Sequence, residues 1–171
     1  MAKLIRIILL PVLLFIAASC GVKVSYSFTG ASIPVEAKTI SIATFQNRAS
    51  LVQPGLNQRV TDALIDLCRA QTNLGIVSSG GDLSFEGDIT DYKTQPLTVG
   101  GDEQAAMNRF SISLRVKYVN SFNADNSYDL TFTRSQDYDS SLDLSAVEAT
   151  LVEEIVKMLI EDVFNRAFVN W

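Results

Sequence analysis

The sequence predicts an α+β fold. A mixed or antiparallel sheet of about four to six strands would carry two helices on one face, as a two-layer sandwich. Three observations predict it. Several segments alternate apolar and polar residues with period two, two longer segments repeat apolar residues at helical spacing, and turn-forming residues separate them. The chain has 171 residues, room for one compact domain and hardly for two. The predicted order is β-β-α-β-β-β-β-α.

The first strand is read at 22–28, where Val22, Val24, Tyr26 and Phe28 share one face and Lys23, Ser25 and Ser27 the other. Gly30 to Pro34 turns the chain, and "KTISIATF" (38–45) forms a second strand. Pro54-Gly55 then marks the start of a helix over 55–70, with Leu56, Val60, Ala63, Leu64, Leu67 and Cys68 at helical spacing. Further strands follow at 74–77, 83–92, 109–119 and 128–135. The cleanest alternation is in "RFSISLRVKYV". There Phe110, Ile112, Leu114, Val116 and Tyr118 oppose Ser111, Ser113, Arg115 and Lys117. The last helix opens on Ser145-Ala-Val-Glu148, which has the pattern of a capping box. Val147, Leu151, Ile155, Leu159 and Val163 form its apolar stripe, widened by Val152, Met158 and Phe164. Glu153–Lys157 and Asp162–Arg166 are spaced for ion pairs on the exposed side.

The N-terminus has the three parts of an export signal. Lys3 and Arg6 are the positive start, Ile7–Ala18 the apolar run, and Ala17-Ala18-Ser19 the small residues before Cys20. A spanning helix needs roughly 20 apolar residues, and this run is shorter. Residues 1–19 therefore read as a lipoprotein signal peptide and 20–171 as one periplasmic domain. Cys20 would be the lipid-bearing first residue. An ordinary signal peptide with an incidental cysteine is the alternative; Ala17 stands where leucine is commoner. The other cysteine, Cys68, lies on the apolar side of the first helix and reads as a small hydrophobe, with a Cys20–Cys68 bridge as the minority alternative. No acidic residue follows Cys20 directly, as in lipoproteins sent on to the outer membrane. The predicted address is its inner leaflet, facing the periplasm.

Charge and residue types exclude several functions. Fourteen Lys+Arg face 19 Asp+Glu, a net charge of −5, with a pI near 4.7. Removing Lys3 and Arg6 leaves 12 against 19, or −7. That balance lacks the basic footprint of a nucleic-acid binder. There is no histidine, hence neither the usual general base nor the commonest zinc ligand. Gly80-Gly81 and Gly100-Gly101 lack the spacing of a phosphate loop. Asp137, Asp139 and Asp143 in "QDYDSSLD" depart from the calcium-loop pattern and read as a solvated turn. No enzyme activity, metal or cofactor is expected. The one connection longer than a scaffold needs is 93–108, "KTQPLTVGGDEQAAMN", which is either functional or a tolerated insertion.

Four blocks carry a family resemblance: "YSFTGASIP", "KTISIATFQNRA", "DLSFEGDITDY" and the closing "DYDSSLDLSAVEATLVEEIVKMLIEDVFNRAFVNW". They resemble the LptE-like lipopolysaccharide-assembly lipoproteins, in their Bacteroidota form, over nearly all of 20–171. The resemblance implies a sheet with two helices on one face. It also implies a partner, the outer-membrane β-barrel LptD, whose lumen the domain would plug while aiding lipopolysaccharide delivery to the cell surface. Arg115 and Lys117, on the polar strand face, are then the candidate contacts to lipopolysaccharide phosphates. Two other classes stay open. "KTISIATFQNR" followed by a helix also resembles the openings of CsgG-like and TolB-like scaffold domains, and the 93–108 loop would suit a small-ligand or glycan binder.

Overall fold

The computed structural model describes residues 33–51, 53–97 and 107–169. The signal segment, Cys20 and the predicted strand 22–28 lie outside the described residues. The described elements are β1 (Thr39–Ile42), β2 (Gln46–Asn47), α1 (Leu56–Gln71), β3 (Gly75–Val77), β4 (Leu83–Leu97), β5 (Met107–Asn120), β6 (Tyr128–Asp139) and α2 (Leu144–Phe168). The sheet runs β3-β1-β4-β5-β6, with β2 also paired to β4. β1 is parallel to β3 and β4, while β4, β5 and β6 form an antiparallel meander. The predicted mixed sheet and its two helices are present.

The single strand predicted at 38–45 is two short ones. β1 pairs with Leu83–Phe85 and β2 with Asp88–Ile89, so both use the same edge of β4. Between them the chain leaves the ladder and drops Phe45 into the core, fully buried. Its ring sits over Gly87, where a Cβ would stand 2.3 Å from Phe45 Cε1. Phe45 N donates to the buried hydroxyl of Thr61 on α1 at 3.1 Å, tying this break to the first helix.

The β3–β4 connection has a second close approach. β3 and β4 are parallel and flank β1, so residues 78–82 cross over it. They pass on the side opposite the helices, covering Ser41, whose Oγ accepts from Gly81 N. A Cβ on Gly81 would lie 2.5 Å from Ser41 N and 2.8 Å from the carbonyl carbon of Ile40. Asp82 fastens the end of the crossing. Its Oδ2 accepts from Lys38 N, Thr39 N and Thr39 Oγ1 at 2.9–3.0 Å, bonds that hold its carboxyl below the ordinary value.

The core lies between the inner sheet face and the helices. Ile40, Leu83, Phe85, Ile89, Phe110, Ile112, Leu114 and Val116 are fully buried, as are Val152, Ile155, Leu159 and Val163 of α2. Aromatic rings close one end, near the start of β6. Phe168 meets Phe85, Tyr118 and Phe164 edge-on, with centroids 4.9–6.1 Å apart.

Two features of α2 differ from expectation. The capping box is not formed: the helix begins at Leu144 with Asp143 as N-cap, without a side-chain cap bond. Glu148 instead accepts the phenolic hydrogen of Tyr92. A β-bulge between Ile89 and Asp91 turned Tyr92 to the inner face, where it lies against Phe110. Neither expected ion pair forms: Glu153 and Lys157 make no salt bridge among the described residues, and the Asp162–Arg166 pair is replaced. Arg134 of β6 takes Asp162 with two bonds of 2.6 and 2.7 Å, and Arg166 lies over the Tyr128 ring at 5.3 Å. Partners on the sheet replace the neighbours one turn away.

Candidate functional site: the outer sheet face

Arg115 and Lys117 stand on β5, on the face turned away from the helices, as their alternation with buried residues requires. Neither is left without a counter-charge. Arg115 donates from Nε and Nη2 to the two oxygens of Asp129 at 2.8 and 2.7 Å. Those bonds lower the Asp129 pKa below its ordinary value and raise that of Arg115. The pair is therefore fully ionised at neutral pH. Lys117 Nζ lies 3.7 Å from Glu86, directly across on β4.

The same pattern continues along the face. Arg48 reaches Asp88 at 3.3 Å, Lys93 pairs with Asp91, and Arg109 binds both oxygens of Asp137 at 2.7 and 2.9 Å. Between the charged rows, Ser113 bonds Thr133 at 2.8 Å and Ser111 bonds Ser135 at 2.9 Å. Five cations thus meet five carboxylates over one broad face. These side chains are 30–70 % exposed, so each pair adds little to stability. What they create is a hydrogen-bonding surface whose charges cancel locally. Glu86, Gly87, Asp88, Arg115, Lys117 and Asp129 line a recess of about 190 Å³ on it.

The sequence reading found the two cations and missed their partners. The signal was available: counting outward from the turn at 121–127 sets Asp129 beside Lys117 and Asp137 beside Arg109. Asp137 and Asp139 belong to β6 and Asp143 occupies the N-cap position of α2, so the acidic trio is dispersed. Among the described residues no group of three or more His, Cys, Asp or Glu could hold a metal ion. Of the 93–108 connection, 93–97 and 107–108 are strand, and 98–106 lie outside the described residues. Cys68 is a buried free thiol whose pKa burial pushes up to about 12. At neutral pH it is an unreactive core residue.

A family comparison decides the kinship. The model of the lipopolysaccharide-assembly family LptE matches residues 37–167, spanning α1, α2 and the whole described sheet. The chain belongs to the LptE family. The family is one of lipopolysaccharide assembly. Among solved structures, protein XCC0632 from Xanthomonas campestris is similar with a TM-score of 0.54 and 14% identity, over 78% of this chain and 85% of that one. It shares the fold of this chain. Weaker likenesses include rare lipoprotein B from Shewanella oneidensis (TM-score 0.46, 12% identity, 76% and 90% covered). Another is a hypothetical protein from Chlamydia trachomatis (0.49, 11%, 77% and 98%). No curated protein matches the chain significantly. No described helix is long and apolar enough to cross a membrane.

Proposed function

We propose that this lipopolysaccharide-assembly protein acts as the lipid-anchored partner of an LptD-type β-barrel, seated in its lumen at the outer membrane. The observation that carries this reading is the outer sheet face. A barrel lumen is polar, and a domain filling it loses water from whatever it presents. Unpaired charges would be costly there, whereas the five ion pairs and two hydroxyl pairs enter already matched. Cys20 supplies the anchor, since two or more acyl chains hold a protein firmly at a bilayer.

Affinity capture of the tagged chain from mild detergent tests the partnership. A large outer-membrane β-barrel should be recovered with it; recovery of the lone monomer overturns the reading. In the same cells Cys20→Ala should abolish acyl labelling and move the protein to the soluble fraction.

Within this reading, Arg115 and Lys117 contact lipopolysaccharide phosphates by exchanging their carboxylate partners for the ligand. Asp129→Asn frees Arg115 without altering the side chain's size. Lipopolysaccharide should then bind several-fold tighter in a direct binding assay, and unchanged affinity would remove Arg115 from the contact set.

A further inference from the structure

Two turns at one end of the sheet hold apolar side chains out in water. Residues 33–38 lead into β1 at the end where β3 and β4 also start. The 121–127 turn joins β5 to β6 at the same end, with Asn120 opposite Leu83. The two turns adjoin: Ile33, Pro34 and Glu36 line one cleft with Phe122, Asn123 and Asn126. At their tips Val35 is 82% exposed and Phe122 48%.

Both side chains are held outward by well-bonded backbone. Val35 stands at the corner of a turn closed by Ala37 N, which donates to the Pro34 carbonyl at 3.0 Å. Lys38 Nζ donates to the Val35 carbonyl at 2.8 Å and braces the same turn. Phe122 is positioned by Asn120, a buried residue whose Oδ1 accepts from Phe122 N and Asn123 N at 3.0 Å. Turn corners ordinarily carry Gly, Pro, Asn, Asp or Ser. Valine and phenylalanine at two adjoining corners serve neither the turns nor the core. Single exposed apolar residues are ordinary, whereas adjoining ones mark a contact surface.

We propose that Val35 and Phe122 dip into the surface of a zwitterionic lipid bilayer and seat this end of the domain on it. The proposal rests on the Cys20 anchor of the reading above. Twelve residues, 21–32, separate Cys20 from Ile33, and they span at most about 45 Å. The tether therefore joins the described fold at the end that carries the two tips. The ionisable residues of 33–38 and 121–127 are Glu36, Lys38 and Asp125, two anions against one cation. That set has no basic cluster to draw it to anionic lipid, so the contact is the entry of apolar side chains into the headgroup–acyl boundary. β4, β5 and β6 run away from this end, which leaves the outer sheet face clear of lipid for a protein partner.

Fluorescence quenching on the full-length lipidated chain in phosphatidylcholine vesicles tests the contact. Glu36→Cys sets a thiol beside Val35 and keeps both apolar tips; Cys68 is buried, so an environment-sensitive fluorophore marks position 36. With bromine on the lipid acyl chains, this label should be quenched at least about two-fold more strongly than one at Leu51→Cys. Leu51 is 75% exposed but shares a cleft with Tyr92 and Lys93, roughly 30 Å further along β4. Adding Val35→Ser/Phe122→Ser, both surface changes, should bring quenching at 36 down to the Leu51 level. Equal quenching at 36 and 51 overturns the proposal, as does quenching indifferent to the double change. A blue-shifted label that bromine leaves unquenched also overturns it, and assigns the tips to a second copy. Vesicle flotation reads the anchor separately. A chain that floats with an unquenched label keeps its anchor and loses this contact, whereas one that stays behind loses both.

Discussion

Gly81→Ala is expected to destabilise the domain by about 3 kcal/mol. The added methyl has no free space: Ser41 N, Ile40 C and Leu83 O all lie within 2.8 Å of its position. All three are backbone atoms of the β1–β4 ladder, so no rotamer change relieves the overlap. Either the 78–82 crossing lifts off β1, losing the Gly81–Ser41 bond, or the parallel pairing of β1 with β4 opens. The neighbouring glycine is the control. Gly80 has φ +68° and nothing within 4 Å of a Cβ, so Gly80→Ala should cost only the strain of a left-handed alanine, about 1 kcal/mol. Urea unfolding followed by circular dichroism distinguishes the two. Equal midpoints would mean that the chain does not ride on β1 as described.

Phe168→Ala should cost about 3–5 kcal/mol, as for other buried aromatic truncations. Phe168 is at the end of the last helix, where fraying would ordinarily make a residue dispensable, yet it is 1% exposed. Its ring joins Phe164 of its own helix to Phe85 of β4 and Tyr118 of β5. Removing it opens a cavity at the junction of three elements and unpins the final turn of α2. The same urea titration reads the loss, and near-ultraviolet circular dichroism should weaken as Tyr118 and Tyr128 lose their fixed surroundings. A shift below about 1 kcal/mol would show that the C-terminal turn frays in solution.

Much of this architecture was legible because single-face burial imposes strict spacing. Phe110 to Tyr118 could only be the inner face of a strand, and Leu151 to Val163 only a helix stripe. The split of 38–45 was not legible, because its cause is Gly87, 42 residues beyond Phe45, leaving a hole for that ring. Glu148 had the right spacing for a cap, but the bulge after Ile89 brought Tyr92 within its reach. The site was half visible for a similar reason. Arg115 and Lys117 announced themselves on a polar strand face. Their neutralisation depends on a register that periodicity alone does not set.

The local cancellation of charge on the outer face has a consequence for how a partner is found. Opposite charges a few ångströms apart produce a field that fades within a Debye length, about 8 Å at physiological ionic strength. Long-range steering, which accelerates many protein encounters, is therefore absent on this side of the molecule. In the arrangement proposed above, a Cys20 tether to the same bilayer would do the equivalent work by confinement. It would keep the domain at high effective concentration near a membrane-embedded partner, leaving recognition to hydrogen bonds and shape at contact distance.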